Sequence, residues 1–234
     1  MEAEFTGPPA RHIRSFAMRR GHVTAGQRRA YEELVPGLSV PLSGGLLDAR
    51  KVFGREAPLV LEIGFGMGET TAAIAREHPE IDFLAVEVYK AGIGALARRL
   101  HEGGLSNVRI VEQDAVQVAK EMIAPRCLHG VHVFFPDPWP KARHHKRRLI
   151  AQPFVGILAE CLKPGGFLHC ATDWENYAQQ MLEVLGAEPR LRNLHETYAP
   201  SAASPWCQRP TTKFHSRGER LGHGVWDLVF QRLT

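Results

Sequence analysis

The 234-residue chain is poor in cysteine: it has four, Cys127, Cys161, Cys170 and Cys207, with no CxxC or other metal-ligand spacing. That excludes a disulfide scaffold and a zinc-ribbon site, and predicts reduced, mostly buried thiols of a cytosolic protein. The N-terminus lacks an apolar stretch of signal-peptide length, and no run approaches a membrane span, so a soluble, cytoplasmic protein with no membrane partner is expected. Repeats and low-complexity segments are also missing. Net charge is small, +4 from 29 basic and 25 acidic residues, so the distribution of charge informs and the total does not. Twelve histidines are present, but the adjacent His144 and His145 have no HxxxH or Cys/His companions, so no metal is expected. His129, His132 and His169 lie on or beside strand patterns and read as structural or core residues.

What the chain does contain is globular material, 44% hydrophobic and 23% charged, sufficient for a substantial core. Residues 1–40 are polar and basic with little periodicity. They predict a partly mobile arm with one short helix near Ala25–Leu34, ahead of a single domain over 41–234. From Pro58 strands and helices alternate. The strand patterns are LVLEIGFG, IDFLAVEV, NVRIVEQD, GVHVFFPDP and GFLHCATD; the helix patterns between them include GETTAAIAREH, YKAGIGALARRLHEGG and AVQVAKEMI. RRLIAQPFVGILAECL predicts a further helix with Pro153 in or near its first turn, KPGG a turn, and WENYAQQMLEVLG the last helix. LHETYAP and HGVWDLVFQRLT then predict two strands with no helix between them. Such alternation implies an α/β fold with a mostly parallel sheet, right-handed crossovers and an antiparallel pairing at the C-terminal edge.

Gly64, Gly66 and Gly68 follow the first strand with GxGxG spacing, which departs from the GxGxxG of dinucleotide folds and suits a ligand without a pyrophosphate. Glu87 ends the second strand, where a carboxylate can accept from both ribose hydroxyls, and Asp114 ends the third, where one can accept from an adenine amine. Glu62 supports either the glycine turn or an ammonium on the ligand. Each acid alone reads as a helix cap. Three at successive strand ends beside a glycine turn read as a site, and ribose, adenine and ammonium together describe S-adenosylmethionine.

Four stretches carry a more specific likeness: IRSFAMRRGHVTAGQ, LEIGFGMGE, FPDPWPKARHHKRR and TKFHSRGERLGHGVWDL, in order along nearly the whole chain. In these the chain resembles the bacterial tRNA (guanine-N7-)-methyltransferases; the second stretch is generic to class I methyltransferases, and the third and fourth are specific. The resemblance implies a Rossmann-like class I methyltransferase fold with a seven-stranded, mostly parallel sheet, S-adenosylmethionine as cofactor, and tRNA as partner. It implies formation of 7-methylguanosine in the tRNA variable loop by a monomer or homodimer. Carried over by position, Glu62, Glu87, Asp114 and Asp137 would contact cofactor, Lys141, Asp173 and Thr212, Lys213, Phe214 and His215 would contact substrate, and Asp137 would be catalytic. The family usually has Glu where His215 stands and Asn where His145 stands.

Guanine N7 offers an in-plane lone pair and no proton, so methylation there needs alignment and electrostatic support rather than a base. Asp137 either faces the charge developing on the purine or holds the guanine N1–H and amine. Trp139 either stacks on a base or anchors the loop. The run Lys141 to Arg148, with Arg143, Lys146 and Arg147 as phosphate contacts, sits at the N-terminal side of the following helix and opposes its macrodipole, which favours an RNA-facing role. Three other readings compete: an adenine-amino methyltransferase, an RNA-binding protein without catalysis, and a nicotinamide oxidoreductase, the last disfavoured by the glycine spacing.

Overall fold

A computed structural model describes residues 15–16, 23–42, 44–200 and 224–234. Seven strands form one sheet: β1 (Leu59–Ile63), β2 (Asp82–Glu87), β3 (Val108–Glu112), β4 (Leu128–Phe134), β5 (Leu162–Thr172), β6 (Leu191–Asn193) and β7 (Trp226–Arg232). Their spatial order is β3-β2-β1-β4-β5-β7-β6. The first five pair in parallel, and β7 runs antiparallel between β5 and β6. The mostly parallel seven-stranded sheet with an antiparallel C-terminal strand is therefore as expected, with the three-residue β6 outermost.

β1 is buried at every position, as a central parallel strand covered on both faces must be. Its alternate side chains serve two cores. Leu59, Leu61 and Ile63 join the core beneath α5 (Ala115–Glu121), α6 (Phe154–Cys161) and α7 (Glu175–Gly186). Val60 joins the core beneath α1 (Ala25–Leu38), α3 (Glu69–Glu77) and α4 (Lys90–Gly103). A short α2 (Ala49–Phe53) precedes β1.

The helix expected near Ala25–Leu34 is α1, which runs on to Leu38 with Pro36 in its last turn. It opens with a reciprocal capping box between Thr24 and Gln27. It packs on α4 where Gly94 leaves room: a Cβ there would lie 2.3 Å from the Gln27 carbonyl oxygen. Val40 N–H then donates to the Ile110 carbonyl of β3 at 2.8 Å, so this stretch lies against the sheet domain.

Four local readings are corrected. The helix expected over RRLIAQPFVGILAECL begins only at Phe154, with Pro153 as its N-cap. Proline lacks an N–H and crowds the preceding turn, so the helix starts after it. The basic run forms its own 3₁₀ helix, Ala142–Arg147, and does not oppose the dipole of α6. KPGG is a bulge inside β5, marked by a register shift against β4 and by Gly165 at φ 78°. LHETYAP is not a strand of its own: Leu194 N–H still donates to the Val229 carbonyl at 3.0 Å, the chain then turns away, and Ala199 returns to β7 as an isolated bridge, its N–H donating to the Asp227 carbonyl at 2.8 Å. The Asn193 side chain accepts from His195 N–H at 3.1 Å and donates to the Thr197 carbonyl at 2.8 Å, an Asx-type turn that ends β6.

The core histidines sit as expected. His132 and His169 are buried side by side on β4 and β5. His169 Nε2 lies 2.7 Å from the Asp227 carboxylate, and the His132 ring stacks on Phe134 at 4.9 Å. Burial holds the His132 imidazole well below its usual pKa, so it is neutral.

Candidate active site

The C-terminal ends of β1, β2, β3 and β4 enclose a cavity of about 370 Å³, within the range of small-ligand sites. Its floor is the glycine turn. Gly64, Gly66 and Gly68 have φ of 74°, 58° and 69°, a left-handed region that costs glycine least. Gly68 is also the N-cap of α3, and a Cβ on it would meet Leu96 Cβ at 2.6 Å. The turn is pressed against α4 at Gly92, where a Cβ would fall 1.9 Å from the Gly66 carbonyl oxygen. Both glycine roles, left-handed backbone and close packing, are thus present.

Glu87 buttresses this turn. One oxygen accepts from Gly66 N–H at 2.9 Å, the other from Val88 and Tyr89 N–H at 2.7 and 3.1 Å. Oε2, with one donor, keeps a lone pair for a ligand hydroxyl in the cavity that Glu87 lines, while Oε1 already accepts two. Glu62 lies deeper, 3% exposed. Its Oε1 accepts from the Thr71 hydroxyl at 3.0 Å, while Oε2 is buried without a partner. Burial pushes this carboxyl up to about 7, the Thr71 bond opposing and the Glu87 charge assisting. A buried carboxylate oxygen on a cavity wall lacking a partner fits a ligand cation, as an ammonium group would supply.

Asp114 stands differently from the other two acids. It caps α5 by accepting from Val116 N–H at 2.8 Å, and the cavity wall there is made by its neighbours Gln113 and Ala115. Gln113 was not singled out by sequence; its amide oxygen accepts from Asp114 N–H at 2.9 Å, and only adjacency to Asp114 hinted at it. Phe16 and Ser15 also line the cavity, on a segment whose composition carried no such signal.

Asp137 is half-buried at the cavity wall, on the loop leaving β4. Phe135 and Trp139 on either side of it have φ of 52° and 46°. Non-glycine residues held in the left-handed region cost about 1–3 kcal/mol each and concentrate where geometry matters to function. Trp139 behaves as an anchor: its indole N–H donates to the Ser15 carbonyl at 3.1 Å, and the Arg147 guanidinium lies 3.8 Å above its ring.

Lys141, Arg143 and Lys146 are exposed on or beside the 3₁₀ helix next to this loop. Arg147 is half-buried against Trp139, and His145 is half-buried with Nε2 unpartnered. Arg148 departs from the sequence reading of the run as wholly RNA-facing: it is 4% exposed and bonded inward. Asp173 is half-buried between β5 and α7, at the strand end beside that of Asp137. Thr212, Lys213, Phe214 and His215 lie outside the described residues. Among the described residues no group of three or more His, Cys, Asp or Glu could hold a metal, and no helix is long and apolar enough to cross a membrane.

A mostly parallel sheet in this order, with a glycine turn after β1 and acids in β1 and at the end of β2, is the class I S-adenosylmethionine-dependent methyltransferase fold. Solved structures agree. A 16S rRNA methyltransferase, KamB, superposes with a TM-score of 0.54 over 81% of this chain and 95% of its own, at 16% identity. An rRNA methylase from Streptococcus thermophilus gives 0.51 over 92% and 100%, at 12% identity. A family model described as "putative methyltransferase" matches residues 56–228. The chain is 60% identical to the tRNA (guanine-N(7)-)-methyltransferase of Bordetella pertussis, over 96% of this chain and 87% of that protein. It is 61% identical to that of Paraburkholderia xenovorans, over 95% and 84%. The chain belongs to the tRNA (guanine-N7-)-methyltransferase family.

Proposed function

We propose that this protein transfers the methyl of S-adenosylmethionine to N7 of a guanine in the variable loop of tRNA, forming 7-methylguanosine. The observation that carries this reading is the 60% identity across 96% of the chain to a tRNA (guanine-N(7)-)-methyltransferase. The cavity supports it. Glu62 would hold the ammonium of the cofactor with Oε2, Glu87 the ribose hydroxyls, and the Gln113–Asp114–Ala115 corner the adenine amine.

When bound, the cofactor supplies an electrophilic methyl, which the N7 lone pair takes without prior loss of a proton. The chain's own work is alignment and charge. Asp137, on a loop with both neighbours proline, is held at the cavity wall with little left to order on binding. Its carboxylate either answers the positive charge appearing on the purine or fixes the guanine by its N1–H and amine. Lys141, Arg143 and Lys146 face outward from the same loop and would meet tRNA phosphates, with Asp173 and Thr212 to His215 completing the substrate side.

The test is to incubate purified protein with bulk tRNA and labelled S-adenosylmethionine, digest with nuclease and identify the modified base by mass spectrometry. We expect 7-methylguanosine, and none from tRNA lacking a variable-loop guanine. N6-methyladenosine alone, or no transfer, overturns the reading.

A further inference from the structure

We propose that Arg148, the last cation of the basic run, is a positioning residue that locks the Asp137 loop to α7 and is no part of the RNA-facing surface. The proposal rests on the function above.

The loop Pro136–Pro140 contains three prolines, so it has few backbone N–H groups with which to tie itself down. Its carbonyls are what an outside donor can grip. Arg148 Nε–H donates to the Pro138 carbonyl at 2.9 Å, one residue from Asp137. The other end of the guanidinium is fixed on α7: Nη2 donates to Asn176 Oδ1 at 2.8 Å, and Nη1 to Gln180 Oε1 at 2.5 Å and the Asn176 carbonyl at 3.5 Å. The cation also sits 4.7 Å above the Tyr177 ring. The chain just beyond is laced to the same helix: Ile150 N–H donates to the Tyr177 hydroxyl at 3.0 Å, and Gln180 donates to the Ile150 carbonyl at 3.3 Å.

Four of the five guanidinium N–H groups are thus directed into the protein, at 4% exposure. A side chain so placed has almost nothing to offer a phosphate. Its acceptors are all neutral, which leaves the charge dependent on geometry that a lysine, with one compact ammonium, cannot reproduce. Asp137 and Asp173 leave neighbouring strands, and α7 starts at Glu175, two residues after Asp173, with Trp174 as its N-cap. The Arg148 clamp therefore sets the spacing of Asp137 and Asp173, the two acids proposed for the substrate side.

Arg148→Met and Arg148→Lys are compared with wild type for melting temperature, affinity for S-adenosylmethionine and for tRNA across a salt series, and single-turnover methyl transfer at saturating tRNA. We expect a loss in kcat of about 100-fold for Arg148→Met, the scale of a small misplacement of reacting groups. Arg148→Lys, which can still reach the Pro138 carbonyl, recovers part of it. Both affinities stay within about 2-fold and the salt slope is unchanged, because no ground-state binding contact is removed. A weaker tRNA affinity, with a salt slope shallower by about one and kcat retained, makes Arg148 a phosphate contact and overturns the proposal. Should both variants unfold, Gln180→Leu decides. It removes one acceptor from the half-buried face of α7, and a folded Gln180→Leu enzyme with wild-type kcat overturns the proposal equally. Wild type assayed in parallel separates this outcome from failure of the functional reading, which would appear as no 7-methylguanosine at all.

Discussion

Glu62 shows how one buried carboxyl links protonation, stability and ligand affinity. Its folded pKa, about 7, stands above its ordinary value of 4.5 because burial disfavours the charge. The folded state therefore binds more protons than the unfolded chain between those values. The stability this group contributes is present below about 4.5 and lost as pH rises through about 7, on the order of 3 kcal/mol. Glu62→Gln should remove that dependence, so its ligand-free melting temperature should fall less between about pH 5 and 8 than that of wild type. A ligand ammonium favours the ionised form. S-adenosylmethionine affinity should thus weaken as pH drops through about 7, by up to about tenfold per unit. Calorimetry in buffers of different ionisation enthalpy should register proton release. Glu62→Gln should bind weakly and with a flat pH profile. At Asp137, replacement by Ala should cost about 100-fold or more in methyl transfer while the melting temperature holds, since the side chain is half-buried and its proposed work is on the guanine rather than on the fold. Near-wild-type turnover would remove Asp137 from its role.

At the scale of elements, the glycine turn and α4 act as one unit. Gly92 is not in the turn, yet it admits the Gly66 carbonyl to a distance no side chain allows. Gly92→Ala should push α4 off the turn, destabilising the fold by about 1–3 kcal/mol and weakening cofactor affinity, measurable by denaturation and calorimetry. Little in the sequence distinguishes Gly92 from Gly94 or Gly103, because the reason lies in a different element. The same holds for the basic run. Its separation from α6 follows from Pro153, which was legible, but its folding into a separate 3₁₀ helix beside the Asp137 loop depends on what Arg148 and Trp139 find across the fold.

For the whole molecule, a net charge of +4 conceals a local concentration beside the catalytic edge. With Arg148 turned inward, four cations of the run remain, Lys141, Arg143, Lys146 and Arg147. If all four meet phosphate, log affinity for tRNA against log salt should slope at about −3 to −3.5. A slope near zero would take the run out of the interface. Methyl-donor capture and RNA capture would then share the C-terminal edge of one sheet, which is where loops from several parallel strands converge.

The sequence by itself determined the sheet, the glycine turn, the acids at strand ends and the family, because burial periodicity and chain-local spacing are written along the chain. Only the tertiary structure decided what neighbours in sequence do separately. Asp114 faces a helix end while Gln113 lines the cavity; Arg147 covers Trp139 while Arg148 turns inward to clamp the loop. A charge run looks uniform until it is folded. Exposure and hydrogen-bond partners are set by elements far away in the chain, here α7, about thirty residues beyond the run it anchors.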